Sequence, residues 1–462
     1  MSGAIIGFIS WLQEFVWGVP LIASLYGTGL YFSFKSGFFQ ITHIGTILKS
    51  TVFSVFKKKQ LDKGGLTPFQ SFATSLAATL GNGNIAGVAT AITLGGPGAV
   101  FWMWVSAIIG SMTAFAENAL GVFYRHKKQD GSLRGGTMYM VYNAVKSKRI
   151  ADVFSTSFAF FCLLASFGMG NTVQTNTITS AINATAVYVD PKIIGLAVSV
   201  LLFIAIMGGT KRIARINEVF LPLISIFYIV GALSIVFKNI ALLPGAFRAI
   251  FNGAFGLGAF GGGAVGYTVK NAFSVGVRRG VFSNEAGMGS LVIINSETMG
   301  TTPKQQGMWG IFEVQFDTII MCSLTALAIL CSGEVNLYTG VVTSDSDGAA
   351  LVSRAFSQSL GEFSGVFIAV STVFFAFSTL LGWSFYGIRC TEYLFGEKAV
   401  LIYKVVFSVA SYFGAVADLR FIWMLSDVFN GLMAVPNIIC IMFLSKTAVK
   451  LLKCENNLEL SS

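Results

Sequence analysis

The chain has 462 residues, of which 54% are hydrophobic and only 11% charged, and it carries a net charge of +10. Soluble domains hold about 25% charged residues, so a chain this apolar is expected to keep its surface in lipid rather than in water. The long apolar runs lack the period-two alternation of a β-barrel, which leaves a bundle of membrane-spanning helices.

A spanning helix needs about 20 mostly apolar residues. In chain order, such runs lie near 5–32, 66–93, 97–124, 154–184, 192–208, 214–237, 244–278, 306–331, 362–387, 400–418 and 421–445. The fold class is therefore all-α, with about eleven transmembrane helices. The first run, 5–32, is expected to remain in the mature protein as an extra N-terminal helix. The run 192–208 is short, and 244–278 is too long for one straight crossing. With the N-terminus outside, most of the 31 Lys and Arg residues fall in inside loops, including Lys57 to Lys59, Arg125, Lys127, Lys128, Arg134, Lys211, Arg212 and Arg215. This is the positive-inside pattern, with an external N-terminus and a cytoplasmic tail at 446–462. It accounts for the net charge through the anionic leaflet, without nucleic acid. The six Cys show no metal or redox spacing and read as packing thiols.

Two runs should be broken. The second contains Gly81-Asn82-Gly83-Asn84 at mid-membrane, and the seventh contains Gly256, Gly258, Gly261, Gly262, Gly263 and Gly266. Each Gly costs a helix interior about 1 kcal/mol relative to Ala. Broken helices survive in lipid only where the freed backbone lines a cavity or ligand. The breaks lie five spans apart, so units 66–237 and 244–445 would have opposite orientation, the arrangement of inverted-repeat carriers. Helix N-termini at the breaks, at Gly81, Asn82, Gly83, Gly262 and Gly263, could then receive a substrate carboxylate, while unwound carbonyls bind a cation.

Several long motifs carry a resemblance. GNGNIAGVATAITLGGPGAVFWMW at 81–104, RGVFSNEAGMGS at 279–290, FEVQFDTIIMCSLTALAIL at 312–330, LLGWSFYG at 380–387 and SDVFNGLMAVPNII at 426–439 resemble the alanine or glycine:cation symporter family over nearly the whole chain. The resemblance implies a LeuT-type fold of ten helices in two inverted repeats. It also implies that Gly81, Asn82 and Gly83 hold the substrate carboxylate. Gln174, in GMGNTVQTN, would face the substrate from the fourth span, and Trp383 would form an aromatic wall. Ser378 and Thr379 would bind sodium with the carbonyls of Ala77 and Leu80. Asn82 stands where the family often has Thr, and Ala264 where it often has Phe.

Ionisable residues inside spans are functional candidates. Glu313 and Asp317 share a face at i, i+4 and could relay protons, form an inner gate, or pair with loop Lys or Arg. Glu117 is read as an interface or gating ion pair. The two His lie in or beside inside loops, which favours sodium over proton coupling. No GxxxxGK[ST] phosphate loop or catalytic cluster is present, so no enzyme activity is expected, and no cofactor other than the coupling ion. The expected function is sodium-coupled import of a small neutral amino acid, alanine or glycine. A carrier for glutamine or serine, proton coupling, and a channel are the alternatives.

Overall fold

The computed structural model describes residues 3–55, 65–185, 188–256, 262–344, 346, 348–361, 363–417 and 420–453. Eight helical stretches among them are long and apolar enough to cross a bilayer, and three shorter apolar helices accompany them. The N-terminal stretch is α1 (Gly3–Val16) and α2 (Val19–Lys35). Then come α3 (Pro68–Thr79), α4 (Gly83–Gly95), α5 (Gly98–Phe123), α6 (Lys148–Asn183), α7 (Pro191–Met207) and α8 (Gly209–Lys238). The second half holds α9 (Leu243–Phe255), α10 (Gly262–Asn284), the short α11 (Leu291–Asn295) and α12 (Pro303–Cys331). It ends with α13 (Gly348–Leu360), α14 (Phe363–Phe395), α15 (Ala399–Val416), α16 (Arg420–Phe443) and α17 (Ser445–Lys453).

The helix α3 begins on a capping box. Thr67 Oγ1 accepts from Gln70 N–H, Gln70 Oε1 accepts from Thr67 N–H, and Pro68 occupies the first helical position, where its missing donor costs nothing. The helix stops at Leu80, whose backbone is extended (φ −70, ψ 90). The chain resumes through a π-helical turn, Gly83–Gly87, into α4. The expected first break is thus present at Leu80-Gly81.

The long seventh run is two helices, as its length required. Helix α9 ends on Gly256 in the left-handed region (φ +67), while 257–261, with Gly258 and Gly261, lies outside the described residues. A second interruption was not foreseen. Helix α10 stops at Asn284, and Glu285 (φ +54), Gly287 (φ +92) and Gly289 (φ +81) carry the chain to α11. Ser283, just before this interruption, lies beside Gly83 at the first break.

Helix α5 packs against both α10 and α12, α7 against α15, and α6 against α14 and α16. The lipid-facing side of α8 carries Val219, Leu223, Ile226 and Val230, each more than 60% exposed, at the spacing of one helical face. At one end of the bundle Arg389, on α14, donates to Glu297 (2.8 Å) and Glu392 (2.6 Å). A short antiparallel hairpin, His126–Lys127 with Leu133–Arg134, adds Lys128 and Arg134 to Glu392. Cys162, Cys322, Cys331, Cys390 and Cys440 are buried free thiols, in keeping with packing roles.

Close helix contacts in lipid require small residues. A Cβ on Gly98 would stand 2.2 Å from the carbonyl carbon of Gly253 in α9. Backbone cannot yield as a flexible side chain can, so Gly98→Ala should destabilise the fold by about 1–3 kcal/mol, the overpacking range. A lowered thermal midpoint of the detergent-solubilised protein checks this.

Candidate functional site

The first break opens on a narrow cleft with room for about one water molecule, about 10 Å3. Its lining comes from the break itself (Ala78, Thr79, Gly81, Asn82, Gly83), from α6 (Met169, Val173, Gln174), and from Phe282, Thr379 and Trp423. Among the described residues no charged side chain lines it. Gln174 is 3% exposed, donates through Nε2 to Met169 O, and has an unpartnered Oε1. That oxygen would lie 3.4 Å from a Cβ on Gly81, so it points at the break.

Beside the cleft, Thr379 Oγ1 lies 3.0 Å from Ala77 O, 3.1 Å from Leu80 O and 2.9 Å from Phe375 O. A hydroxyl has one hydrogen, so at most one of these contacts is a hydrogen bond. The others set carbonyl oxygens against its lone pairs. Four neutral oxygens converge here, two of them, Ala77 O and Leu80 O, freed where the helix ends, and such a donor set suits a hard cation. Ser378 Oγ turns back to Phe374 O and Phe375 O, so it meets this group only through the carbonyl it shares with Thr379.

On the other wall, Asp317 is fully buried and joins the two breaks. Asn84 Nδ2 (2.8 Å) donates to its Oδ1, and Ser283 Oγ (2.7 Å) and Thr318 Oγ1 (2.9 Å) donate to its Oδ2. The second break is held by Glu117, on α5, which accepts from Gly289 N–H and from Asn437 Nδ2, while Asn437 also donates to Gly287 O. Glu313 accepts from Asn295 Nδ2, which also reaches Ser75 on α3. Among the described residues none of Glu117, Glu313 and Asp317 forms an ion pair. The ion-pair reading of Glu117 and the loop-pairing reading of Glu313 and Asp317 are therefore corrected: all three brace the broken helices.

Two further expectations change. Gly262 and Gly263 open α10, whereas Ser283, near its other end, is the residue beside Gly83. At 1.5 Å per residue they stand about 30 Å along the helix from the cleft. They were singled out because glycine density marks weak helix, but it is the far end of α10, at Phe282 and Ser283, that lies beside Gly83 and the cleft. Trp383 is fully buried behind the break, donating from Nε1 to Ala78 O and packed beneath Gly170. It supports the unwound strand and does not line the cleft. Asn84 was named in the break but given no role, and Met169, Val173, Phe282, Ser283 and Trp423 were missed. Asn84, Phe282 and Ser283 lie inside motifs quoted above, and an Asn at membrane depth is itself a signal. Three π-helical turns, Gly83–Gly87, Gly168–Thr172 and Phe316–Cys322, border the site, a common placement for such turns.

Broken helices meeting over a small neutral cleft, beside a cluster of oxygens, define a secondary carrier of the LeuT type. Two solved structures share this fold. MhsT in complex with L-phenylalanine has a TM-score of 0.61 at 14% identity, covering 86% of this chain and 95% of that one. A Na+-coupled sialic acid symporter in an outward-open state has a TM-score of 0.55 at 14% identity, covering 92% and 86%. The chain belongs to the sodium:alanine symporter family, whose profile matches residues 3–457. It is similar to the sodium/alanine symporter AgcS of Methanococcus maripaludis, 38% identical over 98% of each chain. The probable sodium/glutamine symporter GlnT of Bacillus subtilis is 35% identical, over 96% of this chain and 88% of its own. The putative sodium/proton-dependent alanine carrier protein YrbD of Bacillus subtilis is also 35% identical, over 96% and 91%. The chain is accordingly a multi-pass membrane transporter and not an enzyme.

The brace on Asp317 can be tested apart from transport. Asn84→Ala removes a donor to a buried carboxylate and should cost about 1.5–3 kcal/mol, the range for hydrogen bonds to charged groups. The readout is the thermal midpoint of the purified protein.

Proposed function

We propose that this protein is a sodium-coupled symporter that carries a small neutral amino acid, alanine or glycine, by alternating access. The observation that carries the reading is the convergence of Thr379 Oγ1 with Ala77 O and Leu80 O at the break that also lines the cleft. Sodium held there would fix the unwound strand, and the strand presents Gly81, Asn82 and Gly83 to the substrate. The lack of a charged lining residue among the described residues favours a net-neutral ligand, and Gln174 Oε1 supplies an acceptor for its ammonium group. The relatives' names supply sodium and alanine as the class, and GlnT makes glutamine the rival substrate.

Transport moves the broken helices against their scaffold. The end of the bundle carrying Arg389, Glu297 and Glu392 faces the cytoplasm in this reading, with the N-terminus outside. A second reading is proton coupling. It is favoured by Glu285, Glu313 and Asp317, carboxylates no more than 1% exposed and outside every ion pair among the described residues.

Uptake of labelled amino acids into proteoliposomes separates these readings. The proposal expects saturable alanine or glycine uptake driven by a sodium gradient. Uptake driven equally by a pH gradient without sodium would favour the second reading, and glutamine preferred over alanine would overturn the substrate.

Site variants sharpen the test. A Cβ on Gly81 would lie 2.7 Å from Thr379 Oγ1, whereas on Gly83 its nearest neighbour, Ser283 Cα, would be 3.5 Å away. Thr379→Ala and Gly81→Ala should each raise the sodium concentration for half-maximal uptake on the order of tenfold, taking hydrogen bonds to charged groups as a guide. Gly83→Ala, which adds no contact with Thr379, should leave that sodium concentration near wild type. For topology, a cysteine introduced at Ser2, with Cys454 replaced by Ser, should label only from outside, and native Cys454 only from inside.

A further inference from the structure

The end of α8 that begins at Gly209 borders a cavity of about 570 Å3, apart from the transport cleft and lined by Gly208, Lys211, Arg212, Arg215, Val219 and Phe220 among others. Residues 208, 212, 215 and 219 follow the three- and four-residue spacing of one helix face. Lys211, Arg212 and Arg215 are exposed, and Val219 is 65% exposed. Gly208 makes room for the arginine stem, since a Cβ there would stand 2.0 Å from Arg212 Cδ. Among the described residues neither Arg212 nor Arg215 takes part in an ion pair.

The cavity has two chemically different halves. Val219 lies seven residues from Arg212, about 10 Å along the axis at 1.5 Å per residue. Phe220 closes the apolar half by packing on Phe374 of α14, with ring centroids 5.6 Å apart. A soluble anion would satisfy the guanidinium groups and leave the apolar wall without a partner. A neutral lipid would cover the wall and leave the charges unbalanced. Guanidinium forks match phosphate oxygens, and basic clusters at a bilayer surface attract anionic headgroups.

We infer that this cavity binds one anionic phospholipid, its phosphate on Arg212 and Arg215 with Lys211 beside it, and its acyl chain along Val219 and Phe220. The site adjoins the ion cluster at that end of the bundle. Thr210, the residue before Lys211, accepts from Arg389 Nη2 at 3.1 Å, so a seated headgroup steadies the turn that anchors Arg389.

The test is native mass spectrometry of the full-length protein released from nanodiscs of equal phosphatidylglycerol and phosphatidylcholine. Wild type should retain phosphatidylglycerol. The double variant Arg212→Gln/Arg215→Gln should retain on the order of tenfold less, as expected for two charges at a membrane surface. Lys192→Gln, at the start of another helix, should retain it like wild type. Val219→Asn leaves every charge in place and should also weaken retention, which keeps the test valid if the double variant inserts poorly. Undiminished retention by both altered proteins, or phosphatidylcholine held as tightly, would overturn the inference. Displacement of the lipid by millimolar inorganic phosphate would also overturn it, by showing a site that reads a free anion alone.

Discussion

A helix interrupted inside a bilayer must find partners for its freed backbone groups among its neighbours, because hydrocarbon offers none. Much of this structure answers that constraint twice over. At the first break Thr379, on α14, gathers Ala77 O and Leu80 O, Trp383 takes Ala78 O, and Asn84 Oδ1 accepts from Gly81 N–H. At the second, Glu117 and Asn437 reach in from α5 and α16 to hold Gly289 and Gly287. Asp317 then ties one break to the other. The polar residues buried at the centre are thus the means by which two unwound segments persist in lipid, and the oxygens left converging there are what a cation would use.

Such bracing works only if the helices stand close. The glycines that permit this are spread over the contacts rather than gathered at the breaks. A Cβ on Gly276 would meet Ala99 O at 2.3 Å, on Gly382 it would meet Ala78 at 2.7 Å, and on Gly310 the Asn118 amide at 2.5 Å. Glycine therefore does two jobs in this chain, and only one of them shows as a broken helix.

That double use explains what could and could not be read from the residues. The first break was legible because Gly81 and Gly83 interrupt an otherwise apolar run together with two Asn. A second break was expected in the glycine cluster, where α9 ends on Gly256; the later turn went unforeseen because it has only Gly287 and Gly289 and puts Glu285, a non-glycine, at positive φ. Glu117 looked like half of an ion pair because a carboxylate in a span suggests a cation. What it meets, Gly289 N–H and Asn437, is set by how α5, α10 and α16 come together, which no local pattern encodes. Thr379 as a cation ligand is what the family resemblance implies; that its hydroxyl lies beside Ala77 O and Leu80 O is set by how α3 and α14 pack. The π-helical turns left no trace, since one extra residue in a turn hardly disturbs an apolar periodicity.

The N-terminal helix shows how far apart in the chain such partners can be. Gln13 donates to Asp427, and Trp17 Nε1 to the carbonyl of the same residue, across separations of 414 and 410 positions. Asp427 is four residues beyond Trp423, which lines the cleft. Contacts between distant segments form late, because the chain between them must first be ordered, and synthesis proceeds from the N-terminus. Helix α1 must therefore wait in the membrane, its polar Gln13 without this partner, until α16 has been translated. Docking of α1 on α16 is then a closing event of biogenesis, and a chain truncated before Asp427 would leave its opening helix unanchored.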